Sequence, residues 1–196
     1  MTLSLKKPII LASKSPRRQQ LLKEARIPFV VKTRSIDEVF PEDMPRSEVA
    51  TFLAEQKANA AQIFLEDQDD ILLTADSTVV MGNIILNKPA DAREAAQMLR
   101  QISGRMHTVY TGVCLMSLNQ KRVFTGISDV YFDPFTEEEI QFYIEAFQPF
   151  DKAGSYAIQE WISLCKSYRI EGTFANIMGL PVHQVYRELQ TMLVNY

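Results

Sequence analysis

The stretch Pro8-Ile-Ile-Leu-Ala-Ser-Lys-Ser-Pro-Arg-Arg18 joins a short apolar run to the first turn of a helix. The apolar residues 9–12 are typical of a short buried strand. Ser15 is a good N-cap residue and Pro16 fits the first helical position, so we predict a helix from there to about residue 25. A strand, a turn and a helix in this order favour an α/β fold.

Arg17 and Arg18 then occupy the second and third positions of that helix. The helix dipole places about half a positive charge there, and each cation costs about 0.3–1 kcal/mol in an isolated helix. A bound anion would make these cations favourable at the helix end. A phosphate there would contact free backbone N–H groups, the hydroxyls of Ser13 and Ser15, and the two guanidiniums. In the alternative interpretation, both arginines are solvated and merely tolerated.

The rest of the chain alternates strand-like and helix-like segments without a linker or repeat. Ser47 is predicted to cap a helix that runs to about residue 66, and Thr136 with Glu139 forms a capping box. Strands are predicted at 29–31, 71–74, 78–80, 84–86, 108–116 and 122–132, and further helices at 91–104 and 181–193. Because hairpins occur among these segments, we expect an α/β fold with a mixed sheet.

Asp76 follows an apolar strand, and Lys88 follows another one. The Gly82-Asn83 turn would fold the two strands into a hairpin and bring Asp76 and Lys88 to the same end. A carboxylate at a strand end can hold a metal or accept a proton from water. The alternative is a turn aspartate that caps local amides.

Lys57 lies at the edge of the apolar stripe of the helix predicted after Ser47. It is either a phosphate-facing cation on a rigid helix or a surface lysine whose stem covers apolar neighbours. Asp37 and Glu38 are the first acids of a polar loop at 36–45. They are available to a divalent metal, although acidic loops are usually solvated.

Composition excludes several classes of function. The 196 residues carry a net charge of −3, so no basic field attracts nucleic acid. We find no apolar run of the roughly 18 residues that a membrane span needs and no signal-peptide core, so we expect a cytoplasmic protein. The two cysteines lack the spacing of metal ligands. The sequence contains neither a P-loop nor a Gly-x-Ser-x-Gly elbow.

Together these segments resemble the Maf family of nucleoside triphosphate pyrophosphatases. The matching blocks are Leu11-Ala-Ser-Lys-Ser-Pro-Arg-Arg18, Leu21-Leu22, Asp37-Glu38, Leu53-Ala-Glu-Gln-Lys-Ala58, Ala75-Asp76, Asn87-Lys-Pro89, Ser103-Gly-Arg105 with His107, Thr111-Gly112, Asp151-Lys-Ala-Gly-Ser-Tyr-Ala-Ile-Gln159 and Asn176-Ile-Met-Gly-Leu-Pro181. They follow the family's order over nearly the whole chain.

The resemblance implies a mixed twisted sheet flanked by helices, in a two-lobed single domain over 1–196 with a central cleft, as in the related inosine triphosphate pyrophosphatases. It implies hydrolysis between the α and β phosphates of a nucleoside triphosphate, giving the monophosphate and pyrophosphate, with Mg²⁺ or Mn²⁺ as cofactor. It also suggests a homodimer.

The resemblance assigns roles to individual positions. Asp76 corresponds to the proton acceptor that activates water, and with Glu38 it forms the expected metal site. The expected substrate-binding residues are Ser13, Arg17, Arg18, Lys57, Ser77, Lys88, Lys152 and Gln159. Among them Gln159 corresponds to a residue that helps to read the base, and its amide offers both a donor and an acceptor to a uracil or thymine edge.

Some positions bear on which nucleotide the resemblance implies as substrate. The double-arginine turn resembles the branch that acts on dTTP and UTP, rather than the branch that favours 7-methyl-GTP. Ser77 stands where the family usually has threonine, at a position linked to specificity. Glu160 and Trp161 replace the usual glycine and small residues, which affects the expected base pocket. Because the family name is tied to septum formation, a non-catalytic, nucleotide-binding regulator of cell division is the alternative.

Overall fold

The computed structural model describes residues 3–194, which form one mixed sheet and seven α-helices. The strands are β1 (Ile9–Leu11), β2 (Phe29–Val31), β3 (Leu72–Met81), β4 (Ile84–Leu86), β5 (Met106–Met116), β6 (Lys121–Phe132) and β7 (Ser167–Glu171). The helices are α1 (Pro16–Glu24), α2 (Arg46–Ala61), α3 (Ala92–Ile102), α4 (Glu137–Phe147), α5 (Trp161–Lys166), α6 (Phe174–Met178) and α7 (Val182–Val194). Within residues 3–194, no helix is both long and apolar enough to cross a membrane.

The strand order is β2-β1-β3-β5-β6-β7, with β4 paired to β3. β1 runs parallel to β2 and to β3, whereas the β3–β4 and β6–β7 pairs are antiparallel. Parallel neighbours need a crossover connection, and α1 and α2 lie in the chain at the two places that require one. The predicted α/β fold with a mixed sheet is confirmed.

The chain forms two compact units. The first contains residues 3–76, 111–126 and 179–194, and the second contains residues 77–110 and 127–178. The expectation of a single two-lobed domain over 1–196 stays a prediction.

In the first unit, α2 packs closely through small side chains. Ala58 and Ala61 join a buried cluster with Ile10, Leu72, Cys114 and Met116. A Cβ added to Gly112 on β5 would lie 2.3 Å from the backbone nitrogen and Cα of Thr51. Only glycine therefore lets the strand approach the helix that carries Lys57.

In the second unit, His107 lies in an aromatic cluster. Its ring stacks on Phe132 with centroids 5.4 Å apart, and its Nε2 is 2.7 Å from the hydroxyl oxygen of Tyr156. Burial lowers the pKa of His107 to about 4, so the ring is neutral near pH 7. His107 thus belongs to the core.

Two local predictions were wrong. α2 begins at Arg46 after Pro45, without a side-chain cap from Ser47, and ends at Ala61 before a 3-10 turn at Gln62–Phe64. Asp76 does not follow a strand but lies inside β3, which continues through the expected break at residues 75–77. The reason is burial: with the exception of Ser77, every residue from Leu72 to Val80 is buried, so the polar residues around Asp76 lie inside a strand and do not form a turn.

The structure also adds short elements that the sequence patterns did not reveal. α5, β7 and α6 occupy the stretch between Gln159 and Gly179. Segments of five or six residues show too little periodicity to identify. The capping box of Thr136 and Glu139 is confirmed at the start of α4.

Candidate active site

The N-terminus of α1 has the predicted arrangement. Ser15 is the N-cap, its Oγ accepts a hydrogen bond from the backbone N–H of Arg18 at 3.5 Å, and Pro16 is the first helical residue. The Oγ of Ser13, which is buried, accepts from the backbone N–H of Ser15 at 3.2 Å. The first turn carries no acidic side chain that would balance Arg17 and Arg18. Positive charge therefore accumulates at this helix end, as an anion site requires.

Arg18 is half-buried and held at two edges of its guanidinium. Its Nε donates to the carbonyl oxygen of Gly179 at 2.8 Å, and its Nη1 donates to the Oγ of Ser13 at 3.2 Å. Burial lowers the pKa of the guanidinium, while the charge of Asp76 opposes that shift. Arginine remains cationic at any physiological pH, so this is a desolvated and oriented positive charge. Arg17 is half-buried on the same turn.

Lys57 connects two carboxylates that are distant in sequence. Its Nζ is 2.5 Å from Oδ1 of Asp76 and 2.7 Å from Oε1 of Glu38. The side chains of Lys57 and Asp76 are 18% and 12% exposed, whereas that of Glu38 is 52% exposed. Lys57 is therefore not a solvated surface lysine, and the structure brings Glu38, Lys57 and Asp76 together.

Asp76 has the electrostatic properties of a group poised to accept a proton. Burial raises the pKa of its carboxyl above the ordinary value, although the charges of Lys57 and Arg18 act in the opposite direction. A carboxylate whose pKa moves toward neutrality is a better base, and perturbed pKa values concentrate at functional sites. A buried carboxylate flanked by two cations fits proton transfer better than the capping of a turn.

The residues present also fit a divalent metal. Oxygens of Glu38 and Asp76 both contact the ammonium of Lys57, so a metal held by these two carboxylates would compete with Lys57 for them. Within residues 3–194 no group of three His, Cys, Asp or Glu side chains could hold a metal. Mg²⁺ does not need such a cage, since it usually binds one or two carboxylates and completes its shell with water and substrate phosphates.

The other predicted site residues lie in the second unit. Lys88 is exposed and Ser77 is half-buried. β3 pairs with β4 so that Val79 lies opposite Leu86, which places the Ser77 end of β3 beside the residues that follow β4. Lys152 is buried, with its Nζ 2.8 Å from Oδ1 of Asp151. Oε1 of Gln159 is buried and accepts no hydrogen bond from residues 3–194, so it is a candidate for a ligand's donor.

Sequence reasoning missed the groups around Lys152. The hydroxyl of Tyr143 donates to Oε2 of Glu160 and accepts from the backbone N–H of Ala157 at 3.2 Å. Oε1 of Glu160 lies 3.5 Å from Nζ of Lys152. The departure from the family at Glu160 was the available signal, but only the fold shows that this carboxylate faces Lys152.

Comparison with known proteins identifies the family of this chain. The model of the family described as Maf-like protein matches residues 8–192. A protein of Christiangramia forsetii named dTTP/UTP pyrophosphatase is 44% identical over 187 residues, covering 94% of each chain. Proteins of the same name from Porphyromonas gingivalis strain W83 and Bacteroides thetaiotaomicron are 46% and 42% identical, covering 93% and 94% of this chain and 92% and 95% of their own lengths. The chain belongs to the Maf family.

Proposed function

We propose that this chain is a nucleoside triphosphate pyrophosphatase that hydrolyses dTTP and UTP. Water would attack the α-phosphorus, the bond between that phosphorus and the α–β bridging oxygen would break, and the products would be the nucleoside monophosphate and pyrophosphate. The observation that carries the proposal is the burial of Asp76 against Lys57, with the N-terminus of α1 and Arg18 in the same unit. Relatives at 40–46% identity carry the corresponding name.

Asp76 would accept the proton of the attacking water. Its carboxyl suits this step because burial raises its pKa, while the ion pair with Lys57 fixes its orientation. Arg17, Arg18 and Lys57 would bind the triphosphate and stabilise the charge that develops on the leaving pyrophosphate. Ser13 would keep Arg18 oriented. Lys88 and Lys152 are proposed as further phosphate-binding cations.

Glu38 and Asp76 would hold a divalent cation, Mg²⁺ or Mn²⁺. Such an ion, when bound, neutralises charge on the phosphate oxygens. Removal of divalent ions with EDTA is expected to abolish pyrophosphate release, and Mg²⁺ or Mn²⁺ should restore it. Full activity in EDTA after extensive dialysis would refute the metal requirement.

Gln159 is proposed to read the base. Uracil and thymine present one N–H donor between two carbonyl acceptors, and the buried Oε1 of Gln159 is an acceptor without a protein donor among the described residues. Ser77 is proposed as a further specificity position.

The direct test is a nucleotide panel. Purified protein with Mg²⁺ or Mn²⁺ is incubated with dTTP, UTP, dCTP, GTP, 7-methyl-GTP and modified pyrimidine nucleotides, and pyrophosphate is measured. We expect release from dTTP and UTP, and release about 10³-fold slower from an Asp76→Asn variant that remains folded. No release from any nucleotide by folded protein would overturn the proposal.

The alternative is a regulator of septum formation that binds nucleotides without hydrolysing them. The names of the relatives do not favour it. It predicts that Asp76→Asn leaves an effect on cell division intact, whereas hydrolysis and the effect should be lost together if catalysis is responsible.

We further propose a cytoplasmic homodimer that has no nucleic-acid partner. Light scattering in solution tests the oligomeric state.

A further inference from the structure

We infer that Gly179 is a positioning residue for catalysis, because its main-chain carbonyl sets the orientation of the Arg18 guanidinium. This inference rests on the proposed function, in which Arg18 binds the triphosphate. Arg18 and Gly179 are 161 positions apart in sequence but belong to the same compact unit.

The contact uses the one nitrogen of Arg18 that lies on the stem side of the guanidinium. Nε donates to the Gly179 oxygen at 2.8 Å, and Nη1 donates to Ser13 Oγ at 3.2 Å. Two hydrogen bonds to different nitrogens of a planar group fix both its direction and its rotation about the side-chain axis. Ser13 is itself held, since its Oγ accepts from the backbone N–H of Ser15. The guanidinium thus has a defined orientation before substrate arrives.

The backbone at Gly179 explains why a glycine supplies this carbonyl. Its φ is +125°, a conformation that residues with a Cβ rarely adopt. Gly179 is also buried, between α6 and α7. A side chain at this position would force the peptide to rotate, and the carbonyl would turn away from Nε. The block Asn176-Ile-Met-Gly-Leu-Pro181 then contributes the main-chain carbonyl of Gly179 to the site.

The test is a double-mutant cycle of Gly179→Ala and Arg18→Lys, with Gly82→Ala as the matched control. Lysine keeps the positive charge but lacks Nε–H. Gly82 also has a left-handed φ, +59°, and an added Cβ there meets nothing within 4 Å. For each variant, kcat and KM for dTTP and UTP are measured by pyrophosphate release, and Tm by thermal unfolding.

We expect Gly179→Ala to lower kcat/KM about tenfold or more, because a displacement of about 1 Å in a positioned group can cost a hundredfold. In the Arg18→Lys background the same substitution should change kcat/KM less than about twofold, since non-additivity identifies residues that act as one unit. The Tm of each variant shows whether it is folded at the temperature of the assay. Gly82→Ala should leave kcat/KM unchanged. Equal loss of kcat/KM in both backgrounds, or wild-type kcat/KM in folded Gly179→Ala, would overturn the inference.

A second variant serves if Gly179→Ala does not fold. Replacement of Leu180 by its α-hydroxy acid converts the amide between residues 179 and 180 into an ester, which weakens the Gly179 carbonyl as an acceptor and keeps every side chain. It should lower kcat/KM in the Arg18 protein and have little effect in the Arg18→Lys protein. An ester protein with wild-type kcat/KM would refute the inference.

The two proposals fail in distinguishable ways. If the wild-type protein releases no pyrophosphate from any nucleotide, the proposed function fails. The role of Gly179 is then decided by calorimetric titration with inorganic pyrophosphate. Wild type should bind it at least about tenfold more tightly than Gly179→Ala, and equal affinity, or no binding by either protein, would overturn the inference.

Discussion

Lys57 in the first compact unit and Lys152 in the second unit each contact two carboxylates. In the first unit Lys57 is 2.5 Å from Asp76 and 2.7 Å from Glu38, and in the second Lys152 is 2.8 Å from Asp151 and 3.5 Å from Glu160. In both sets one carboxylate is largely buried and the other is more than half exposed.

The difference lies in what else holds the buried carboxylate. Glu160 also accepts from the Tyr143 hydroxyl, which is anchored to the backbone of Ala157, so its charge is fixed by the scaffold. The charge of Asp76 is balanced by two cations, Lys57 and Arg18, while burial raises the pKa of its carboxyl. The same local arrangement is thus suited to chemistry in one unit and to positioning in the other.

The largest expected effect is at Asp76. Asp76→Asn removes the proton acceptor and should lower kcat by about 10³-fold, within the range of general-base contributions. Pyrophosphate release from dTTP measures it, and Tm shows that the protein is folded. Asp129→Asn, a partly buried carboxylate that accepts from Thr108, is the control. A kcat within tenfold of wild type would show that Asp76 is not the base.

The second prediction concerns the packing of β5 against α2, the helix that carries Lys57. In Gly112→Ala the new Cβ would meet the Thr51 backbone at 2.3 Å, so α2 must shift. Overpacking of this kind costs about 1–3 kcal/mol, and Tm should fall by about 3–10 °C at this chain length. kcat should fall as well, because α2 carries Lys57. Gly82→Ala should lose stability only through its left-handed φ, and an equal loss in both variants would argue against close packing.

The buried histidine of the second unit makes stability depend on pH. The pKa of His107 is about 4 in the folded protein and about 6.5 when unfolded, so the unfolded state binds a proton more readily. This contribution is complete above pH 6.5 and is lost as pH falls toward 4. Between pH 7 and pH 5 the loss is about 2 kcal/mol.

Urea unfolding at the two pH values measures this loss. A His107→Gln variant should show a smaller pH dependence than wild type, whereas His183→Gln, which changes an exposed histidine, should not. Identical pH dependence in wild type and His107→Gln would contradict the assignment.

The smallest expected effect is at Glu160. Glu160→Gln removes the ion pair that orients Lys152, a proposed phosphate-binding cation. Because Lys152 is then less well placed, KM for dTTP should rise about fivefold with kcat within twofold, a change of about 1 kcal/mol. Tyr143→Phe keeps that charge and should lower Tm with little change in KM. Equal shifts of KM in both variants would mean that packing, and not charge, matters here.

Much of the fold was predictable because its signals are local. Ser15 and Pro16 start α1, the capping box of Thr136 starts α4, and Gly82-Asn83 joins β3 to β4. The prediction failed where burial overrides local preference: a run of polar residues around Asp76 lies inside a strand, and Ser47 does not cap α2. α5 and α6 are too short to show a period.

The candidate site, too, could be predicted only in part from the sequence. By itself the sequence determined which residue types are available: two arginines on a helix N-terminus, a lysine on α2 and scattered carboxylates in family order. Only the tertiary structure decided that Lys57 joins Glu38 to Asp76, that Glu160 faces Lys152, and that the carbonyl of Gly179 holds Arg18. The physical reason is that caps and turns depend on neighbours within a few residues, whereas ion pairs and burial depend on residues that only folding brings together.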